Sequence, residues 1–403
     1  MISDLVLVLN CGSSSLKFSI LDPKKNKKYL FGLVDRLYLS ETYVIWNYKN
    51  KKNKIIIGDY IKHKKSLKFI IRNIFFKYTA LMLRVKFIGH RVVHGGYKIK
   101  QSVIITDNII QEIKKNIIFS PVHNPINLLG IVAAIKYFPS LSKRNVAVLD
   151  TTFYTHLPEF SYLYAIPYIF YKKYHIRKYG AHGISHAYVS QEAAKMLNVS
   201  INTLNIISCH LGSGSSVTAI CNGVSVDTSM GLTPLEGLVM GTRSGDLDPS
   251  IIFFMHHVLN IDITEIENIL LKKSGILGLT NGITSDFRDI EKNYDSNKES
   301  YRAVNVFCHR LSKYIGAYSV LLQGKLDAII FTGGIGENSA LVRKITLSKL
   351  SLLNIYIDDN LNNDIKFGKQ GYINKKNTIP VLVIPTNEEL LIAKETIKLF
   401  KKT

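Results

Sequence analysis

The feature that most constrains the fold is a pattern of apolar runs and Gly/Ser-rich turns that occurs twice along the chain. In the first copy, two apolar runs flank a turn and a third run follows: Leu5–Leu9, Cys11–Ser15, Leu16–Leu21 and Tyr29–Val34. The second copy repeats this order: Leu204–Ser208, Gly212–Ser216, Val217–Cys221 and Val224–Asp227. Short apolar runs separated by tight turns are typical of β-strands, so each copy predicts a meander of three strands.

Each predicted meander is followed by segments that alternate between helical and strand patterns. The further predicted strands are Val85–Ile88, Val146–Leu149, Ala328–Phe331 and Val381–Ile384. Two such copies imply a duplicated α/β domain, and a ligand is expected in the cleft between the copies, where both Gly/Ser turns can face one another. We place the domains at 1–150 and 151–385. Apolar residues at helical spacing predict a terminal helix over Asn387–Phe400, and we assign the segment from about 386 to 403 to the first domain.

Composition indicates a globular protein with buried cores. Of the 403 residues, 46% are hydrophobic and 20% are charged, which excludes a disordered chain. No apolar stretch approaches the roughly 18–20 residues that a membrane-spanning helix needs. No secretory signal is visible at the start, and the four cysteines form no CxxC pair, so we expect reduced thiols and a cytoplasmic location without a membrane partner.

The chain is strongly basic, with 52 Lys and Arg residues against 30 Asp and Glu residues and a net charge of +22. Such a charge raises the question of a nucleic-acid partner. The excess is concentrated in the runs Lys24–Lys28, Lys49–Lys54 and Lys62–Lys68. These runs lack the interleaved aromatic residues with which single-strand binders stack bases, so we predict no specific nucleic-acid partner.

Three glycine-rich turns could bind phosphate through clustered backbone N–H groups. Two of them are the turns of the meanders, and the third is Thr332–Asn338, between a predicted strand and a helix. The third turn has the form of a loop that lets a nucleotide approach the backbone closely. The chain contains neither the Walker sequence nor the Rossmann spacing after the first strand, which disfavours a P-loop kinase and an NAD enzyme.

Several polar residues occur in apolar or glycine-rich surroundings where function is a reasonable explanation. Lys17 lies within a predicted strand, where an exposed charge is not expected, and Asp150 ends another strand, a common position for an α/β active-site carboxylate. Arg91 and Arg243 lie in segments rich in Gly, His and Ser. An interdomain salt bridge is the structural alternative for either arginine.

His182 and His186 have the i, i+4 spacing of a zinc-binding pair. The glycine between them, the missing glutamate and the absence of a third ligand all disfavour zinc.

Taken together, these motifs resemble the acetate kinase family. The blocks follow the family order over nearly the whole chain: Asn10–Lys17, His90–Gly96, Pro121–Asn127, Tyr179–His186, Cys209–Ser216, Asp227–Asp248, Asp286–Asp289, Gly333–Asn338 and Thr386–Glu389. The stretch from Asp227 to Asp246 is close to diagnostic. The resemblance implies duplicated ribonuclease-H-like domains of the actin, Hsp70 and sugar-kinase fold, which agrees with the repeated pattern.

The resemblance also implies a reaction, reversible transfer of the ATP γ-phosphoryl group to acetate or another short-chain carboxylate. By the family's pattern, Arg91 binds the carboxylate, Asp150 is the catalytic carboxylate, and Arg243 and His182 stabilise the phosphoryl group in transfer. The resemblance further assigns Mg²⁺ to Asn10 and Glu388, the methyl pocket to Val93, Val122, Ala181 and Pro234, and a supporting electrostatic role to His123.

The nucleotide would be bound by three groups of residues that the same resemblance identifies. They are Ser13, Ser15 and Lys17; His210, Leu211, Gly212, Ser213 and Gly214; and Asp286, Phe287 and Arg288 with Gly334, Ile335, Gly336, Glu337 and Asn338. Family members are homodimers, so a homodimer is expected here as well.

Two positions depart from the family pattern. Ala181 replaces the usual phenylalanine of the methyl pocket, which predicts a larger pocket and weak discrimination against propionate or longer acids. Ser213 replaces the usual asparagine of the phosphate turn, and its shorter side chain predicts a weaker hold on the phosphates.

Three alternatives to an acetate kinase stay open at the level of sequence. A propionate kinase shares nearly all of these blocks. An ATP-driven conformational protein of the Hsp70 or actin type shares the fold, although Arg91, Asp150 and Arg243 in their matching blocks argue against it. A nucleic-acid-binding protein is supported only by the net charge.

Overall fold

The computed structural model describes residues 4–12 and 15–401. The chain forms two compact units, Met1–Phe153 with Asn387–Thr403 and Tyr154–Thr386. Ser13, one of the candidate phosphate-binding residues, lies outside the described residues.

The first unit is built on an eight-stranded sheet with the order β5-β4-β3-β2-β1-β6-β8-β7. Its strands are β1 (Leu5–Cys11), β2 (Leu16–Asp22), β3 (Lys27–Asp35), β4 (Thr42–Tyr48), β5 (Lys51–Gly58), β6 (Val85–Val92), β7 (Val103–Ile104) and β8 (Asn145–Leu149). The strands β1 to β5 pair antiparallel as a meander, whereas β1, β6 and β8 are parallel. Every residue of β1 is buried, as expected for a strand covered on both faces.

The second unit is built on a six-stranded sheet with the order β11-β10-β9-β12-β14-β13. Its strands are β9 (Ile206–Leu211), β10 (Ser215–Cys221), β11 (Val224–Thr228), β12 (Ala328–Thr332), β13 (Gly371–Tyr372) and β14 (Val381–Val383). The order β3-β2-β1-β6-β8 of the first unit and the order β11-β10-β9-β12-β14 of the second have the same directions and connections. The predicted duplication of an α/β domain is therefore confirmed.

Helices cover both sheets. They are α1 (His63–Ile70), α2 (Thr79–Met82), α3 (Asp107–Lys115), α4 (Asn124–Tyr137), α5 (Glu159–Tyr162), α6 (Ile169–Tyr174), α7 (Gly183–Leu197), α8 (Ser250–His257), α9 (Ile263–Asn268), α10 (Gly275–Leu279), α11 (Phe287–Lys292), α12 (Lys298–Ser319), α13 (Gly333–Asn338), α14 (Ala340–Leu347), α15 (Asp359–Asp364) and α16 (Glu388–Lys401). Within the described part of the chain, no helix is both long enough and apolar enough to cross a membrane.

Short 3₁₀ and π-helical turns join several of these elements. The π-helical turns are Ile71–Phe75 and Ile269–Lys273, and the 3₁₀ turns are Phe76–Tyr78, Asn116–Phe119, Pro139–Arg144, Asp150–Tyr154, Ile201–Thr203, Val320–Leu322 and Ser351–Leu353.

The strands of both meanders and the terminal helix agree with the predictions, with ends that differ by a few residues. The hairpin of β4 and β5 was not predicted from the sequence. The strand β5 begins with Lys51, Lys52 and Lys54, and so it lacks the clean apolar run that identified the other strands. The hairpin is stabilised by the pairing of β4 with β3, which buries Val44 fully in the core of the first unit.

Lys17 also differs from its prediction. It lies in β2 as expected, but its side chain is exposed, while the neighbouring Leu16 and Phe18 are fully buried. The alternation of side chains along a strand places residues 16 and 18 on the opposite face from residue 17. The position of Lys17 in a strand therefore gives no evidence of a buried charge.

Candidate active site

In the first unit, the candidate residues lie where three parallel strands end. Asn10 is near the end of β1, Arg91 is near the end of β6, and Asp150 directly follows β8. Because β1, β6 and β8 are parallel neighbours, their carboxyl ends meet at one edge of the sheet, the usual position of ligands in α/β folds.

Arg91 forms a two-pronged ion pair with Asp150. Its Nη2 lies 2.7 Å from Asp150 Oδ2, and its Nε donates to Asp150 Oδ1 at 3.2 Å. The Asp150 side chain is fully buried and that of Arg91 is 15% exposed. Burial opposes the charge on Arg91, but the carboxylates of Asp150 and Glu388 more than offset it, so the pKa of Arg91 is raised above its ordinary value.

Glu388 is the first residue of α16, and it places a second carboxylate next to Arg91. Its Oε2 accepts a hydrogen bond from Asn10 Nδ2 at 2.7 Å and lies 3.5 Å from Arg91 Nη1. Arg91 Nη1 also lies 3.4 Å from Asn10 Oδ1. The first unit therefore brings together four of the predicted residues, Asn10, Arg91, Asp150 and Glu388.

Two asparagines of α4 hold the chain that follows Arg91, and sequence reasoning did not single them out. Asn127 accepts a hydrogen bond from Val93 N at 3.1 Å and donates to Cys11 O at 2.9 Å, which ties the ends of β6 and β1 together. Asn124 bonds both the N–H and the carbonyl of His94. Their signal in the sequence is polar residues on an otherwise apolar helix, where a buried amide needs a partner.

The first Gly/Ser turn keeps a hydrogen bond from Gly12 N to Ser15 O at 2.9 Å. Ser15 is half-buried beside it, and Lys17 is two residues further along, on β2.

In the second unit, three histidines cluster with serines around the start of α7. The rings of His182 and His210 stack at 4.2 Å, and His182 Nδ1 lies 3.0 Å from Ser216 Oγ. His210 Nδ1 lies 2.8 Å from Ser185 Oγ. His182 has a positive φ of 56°, an uncommon conformation for a residue other than glycine, and it immediately precedes α7. Local strain of this kind is often found at functional sites.

His186 is not arranged as a metal ligand. Its two ring nitrogens lie 2.8 Å from Ser208 Oγ and 2.9 Å from Ser216 Oγ. Burial and the neighbouring His210 lower its pKa well below the ordinary value, so the ring is neutral near pH 7. Its hydrogen bond to Ser216 connects it to His182, and Ser216 is therefore a residue of this cluster that sequence reasoning missed.

Arg243 lies close to this cluster without a carboxylate partner among residues 4–12 and 15–401. Its Nη1 donates to Pro234 O at 2.9 Å and lies 3.5 Å from Met240 Sδ. A Cβ at Gly214 would lie 3.3 Å from the His182 ring and 3.7 Å from Arg243 Nη1, so the glycine leaves both groups accessible. Burial lowers the pKa of Arg243 from its ordinary value, but the group stays protonated.

Asp246 joins the two ends of the loop that carries Arg243. The Asp246 carboxylate accepts hydrogen bonds from Gly237 N and from Tyr314 OH, both at 2.7 Å. Arg310, also on α12, donates to the carbonyls of Gly237 and Asp246 at 3.2 and 3.1 Å. Nearer the arginine, Gly241 N donates to Ser213 O at 3.0 Å, which joins the loop to the second Gly/Ser turn.

The second Gly/Ser turn joins β9, which ends with His210 and Leu211, to β10. It is stabilised by a bond from Gly212 N to Gly214 O at 3.1 Å. The third glycine turn begins α13 directly after β12, and Gly333 has a φ of +77°. A Cβ at Gly333 would lie 2.7 Å from Leu211 O, so only glycine allows this approach. Residues Gly334, Ile335, Gly336, Glu337 and Asn338 follow within α13.

Glu337 ties the third turn to the end of the second unit. Its Oε1 accepts hydrogen bonds from Gly333 N at 2.9 Å and from Thr386 N at 3.1 Å. The Thr386 hydroxyl also accepts a hydrogen bond from Ser185 Oγ at 2.8 Å. The same Ser185 hydroxyl contacts His210.

The predicted adenosine-binding residues at the start of α11 form a local cap. The Asp286 carboxylate accepts from Arg288 N at 3.0 Å and pairs with the Arg288 side chain, and these bonds lower the pKa of Asp286. The Arg288 side chain is 89% exposed. Phe287 is buried and packs against Phe307, so it belongs to the core of the second unit.

The four predicted methyl-pocket residues differ in exposure. Val93 is buried and Val122 is 40% exposed in the first unit. In the second unit, Ala181 is buried in a small cluster with Met230 and Met240, and Pro234 is half-buried. His123, the predicted supporting residue, is half-buried at the start of α4.

The duplicated α/β fold agrees with the resemblance found in the sequence, and the chain belongs to the acetokinase family. The model of the Acetokinase family matches residues 5–394. An acetate kinase from Buchnera aphidicola subsp. Schizaphis graminum is 58% identical over 99% of both chains. An acetate kinase from Erwinia tasmaniensis is 55% identical over 99% of this chain and 100% of that protein.

Solved structures agree with this assignment. A propionate kinase from Francisella tularensis subsp. tularensis superposes with a TM-score of 0.90 at 41% identity, covering 98% of this chain and 99% of that one. The Porphyromonas gingivalis acetate kinase superposes with a TM-score of 0.87 at 37% identity, covering 99% of this chain and 100% of that one.

Proposed function

We propose that this protein catalyses reversible transfer of the γ-phosphoryl group of ATP to acetate, giving acetyl phosphate and ADP. The observation that carries this proposal is the 58% identity to an acetate kinase over 99% of both chains. In the transfer, a carboxylate oxygen of acetate forms a bond to the γ-phosphorus while the bond from that phosphorus to the ADP oxygen breaks. The acetate oxygen is already a nucleophile, so the protein needs to orient the reactants and stabilise charge.

Arg91 is proposed to bind the acetate carboxylate. A planar guanidinium can donate two parallel hydrogen bonds to a carboxylate. Asp150 and Glu388 already fix the orientation of Arg91 and increase its basicity, so no proton is lost from the guanidinium during the reaction. Asp150 is fully buried, which keeps its carboxylate in one position next to the arginine.

Arg243 and His182 are proposed to stabilise the phosphoryl group in transfer. Arg243 has no carboxylate to neutralise it in the described chain, so its charge is available to a phosphoryl oxygen. His182 is oriented by Ser216 at Nδ1 and by stacking on His210, and its Nε2 lies on the side of Gly214. Fixed donors of this kind need little reorganisation when charge develops.

Asn10 and Glu388 are proposed to hold Mg²⁺. Asn10 Nδ2 donates to Glu388 Oε2, so the two side chains are adjacent. One amide oxygen and one carboxylate fit an ion that takes few protein ligands and completes its coordination with phosphate and water. Mg²⁺ bound there would neutralise charge on the phosphates. Lys17, Ser15 and the Gly212–Gly214 turn are proposed to bind the phosphates, and Asp286–Arg288 with Gly334–Asn338 the adenosine.

Propionate is the second candidate substrate, and two observations favour it. A propionate kinase is among the structures that superpose well, and Ala181 replaces a larger residue of the family pattern. Met230 and Met240 border Ala181, and flexible methionine side chains can adjust to a longer acyl chain.

A homodimer in the cytoplasm is also proposed, following the family resemblance. The helix α8 supports the dimer, because Ile251, Phe253 and Phe254 on it are 45–60% exposed, and Val258 and Leu259 just after it are 59% and 53% exposed. Apolar side chains exposed in one contiguous segment are typical of a surface covered by a partner.

The hydroxylamine assay for acyl phosphate tests the function. Purified protein with MgATP should form acetyl phosphate from acetate, and Arg91→Ala should abolish this product. The exposed Arg72 offers a matched control, since Arg72→Ala removes the same charge and should keep full activity. Failure of the wild-type protein to form acyl phosphate from acetate, propionate or butyrate would contradict the proposal.

A further inference from the structure

The first unit contains a basic, aromatic pocket that shares no residue with the candidate active site. It has a volume of about 770 Å³ and lies between β3, β4, the turn that follows β4, and the segment that runs from α2 to Arg84. We define the lysine–tyrosine pocket by Lys27, Tyr29, Tyr48, Lys49 and Arg84, all of which line it.

The fold places these residues together from three separate segments. Lys27 and Tyr29 lie at the start of β3, and the pairing of Leu30 with Tyr48 puts the end of β4 directly opposite. Lys49 follows Tyr48 in the turn between β4 and β5. Arg84 joins α2 to β6, and its carbonyl accepts a hydrogen bond from Leu5 N.

Aromatic rings hold the cations of this pocket in place. Lys27 Nζ and the Arg84 guanidinium lie 5.3 and 5.1 Å from the centre of the Tyr29 ring. Lys49 Nζ lies 5.5 Å from the centre of the Tyr48 ring, and this ring packs against that of Tyr78 with the ring centres 4.1 Å apart. Cation–π contacts position these groups without neutralising their charge.

The charge of the pocket is largely uncompensated. Within residues 4–12 and 15–401, no carboxylate lies within ion-pairing distance of Lys27, Lys49 or Arg84, and no acidic side chain lines the pocket. Arg84 Nε is buried and has no hydrogen-bond partner. A fourth lining cation, Lys28, is bound by Glu389. Three free cations in one concave site favour an anion with several charges.

We propose that the lysine–tyrosine pocket binds a polyphosphate group, either as inorganic polyphosphate or as the phosphate chain of a nucleotide. The volume lies within the roughly 300–1,000 Å³ range of small-molecule sites and exceeds what one phosphate would fill. Lysine and arginine donate charge-assisted hydrogen bonds to phosphate oxygens, and three of them in one pocket favour a ligand with more than one phosphoryl group.

The decisive experiment compares two double variants that remove the same charge from different places. Lys27→Ala/Lys49→Ala removes two cations of the pocket, and Lys64→Ala/Lys65→Ala removes two exposed lysines of α1. Titration calorimetry with inorganic tripolyphosphate at constant ionic strength measures binding. The pocket variant should bind at least about tenfold more weakly than wild type, whereas the control should stay within about twofold. Equal binding by both variants would overturn the proposal, because general electrostatic attraction would then explain it.

Substitution of Tyr29 tests the role of the rings. Tyr29→Phe keeps a ring under both cations and should bind tripolyphosphate like wild type. Tyr29→Leu removes the ring and should weaken binding about two- to fivefold. Thermal unfolding of both variants shows whether Tyr29→Leu is folded. Equal losses in the two variants would contradict the proposed positioning of the cations.

Competition experiments identify the source of the polyphosphate group. If ATP displaces tripolyphosphate from wild type, and if the affinity for ATP falls in Lys27→Ala/Lys49→Ala, the pocket is assigned to nucleotides. Tripolyphosphate binding that depends on the pocket and resists ATP would assign it to inorganic polyphosphate. Orthophosphate that binds as tightly as tripolyphosphate would overturn the proposal. Acetyl phosphate formation should be unchanged in all of these variants without added polyphosphate, which separates this proposal from the proposed kinase activity.

Discussion

Two arginines, one in each unit, are held in opposite ways. Arg91 is paired with the buried carboxylate of Asp150 and lies close to Glu388. Arg243 donates instead to the carbonyl of Pro234, with Met240 Sδ beside it, and no carboxylate of the described chain pairs with it. The same side-chain type is thus neutralised in one unit and left with its full charge in the other.

This difference separates two tasks that arginine can perform. A guanidinium between two carboxylates is rigid, and its net attraction for an anion is moderated by its partners. A guanidinium held by neutral acceptors keeps its attraction for a highly charged group. We therefore expect Arg91 to matter for both stability and acetate binding, and Arg243 to matter mainly for the transfer step.

The largest effect is expected from breaking the pair in the first unit. Arg91→Ala would leave Asp150 buried without its ionic partner, so the free energy of unfolding should fall by about 3–5 kcal/mol. Urea denaturation of wild type and variant measures this loss. In the double variant Arg91→Ala/Asp150→Ala the unpaired charge is gone, so part of the stability should return. A single variant as stable as wild type would show that the pair does not contribute as its geometry suggests.

A similar loss, but of activity, is expected in the second unit. Arg243→Ala should lower kcat for acetyl phosphate formation by a factor equivalent to about 2.7–4 kcal/mol, since it removes a donor to the transferring group. Its stability should change little, because no buried carboxylate loses a partner. Steady-state kinetics and thermal unfolding test the two statements separately. A variant with normal kcat and a raised KM for acetate would assign the role of Arg243 to substrate binding instead.

The pH dependence of stability should show a smaller effect in the first unit. Burial lowers the pKa of His90 to about 4. The hydrogen bond between its Nε2 and Asn145 Oδ1, 2.8 Å long, acts in the opposite direction but is the weaker effect. A histidine in the unfolded chain has a pKa near 6.5. The contribution of His90 to the free energy of unfolding is therefore complete above that pH and is lost as the pH falls towards 4. The expected loss is about 2 kcal/mol at pH 5, measured by urea denaturation at pH 7 and pH 5. His90→Gln should reduce this dependence, and an unchanged profile would contradict the assignment.

The smallest effect is expected at the acyl pocket. Wild type should discriminate weakly between acetate and propionate, and Ala181→Phe should raise the preference for acetate about tenfold or more, because a methylene in such a pocket is worth about 1–3 kcal/mol. The ratio of kcat/KM for the two acids measures the preference. Ala181→Gly serves as the control, since it should not increase the preference. A strong preference of wild type for acetate would contradict the prediction that Ala181 enlarges the acyl pocket.

The sequence predicted the elements with clear apolar runs and missed those without them. β1, β2 and β9 were found because they contain apolar residues that are mostly buried, whereas β5 is rich in lysine and is stabilised by pairing with β4. The grouping of Arg91 with Asp150 followed from the family resemblance. The hydrogen bonds of Asn127 and Ser216 join residues far apart in the chain, so the sequence did not identify their partners.

The amino-acid sequence by itself determined the duplicated α/β fold and the candidate residues at the ends of its strands, because hydrophobic periodicity and glycine turns act over short distances along the chain. Only the tertiary structure decided which charges are neutralised. It pairs Arg91 with Asp150, leaves Arg243 without a carboxylate, and brings Lys27 and Lys49 from separate basic runs to the tyrosines of one pocket. Electrostatic interactions depend on distance and burial in space, and spacing along the chain specifies neither.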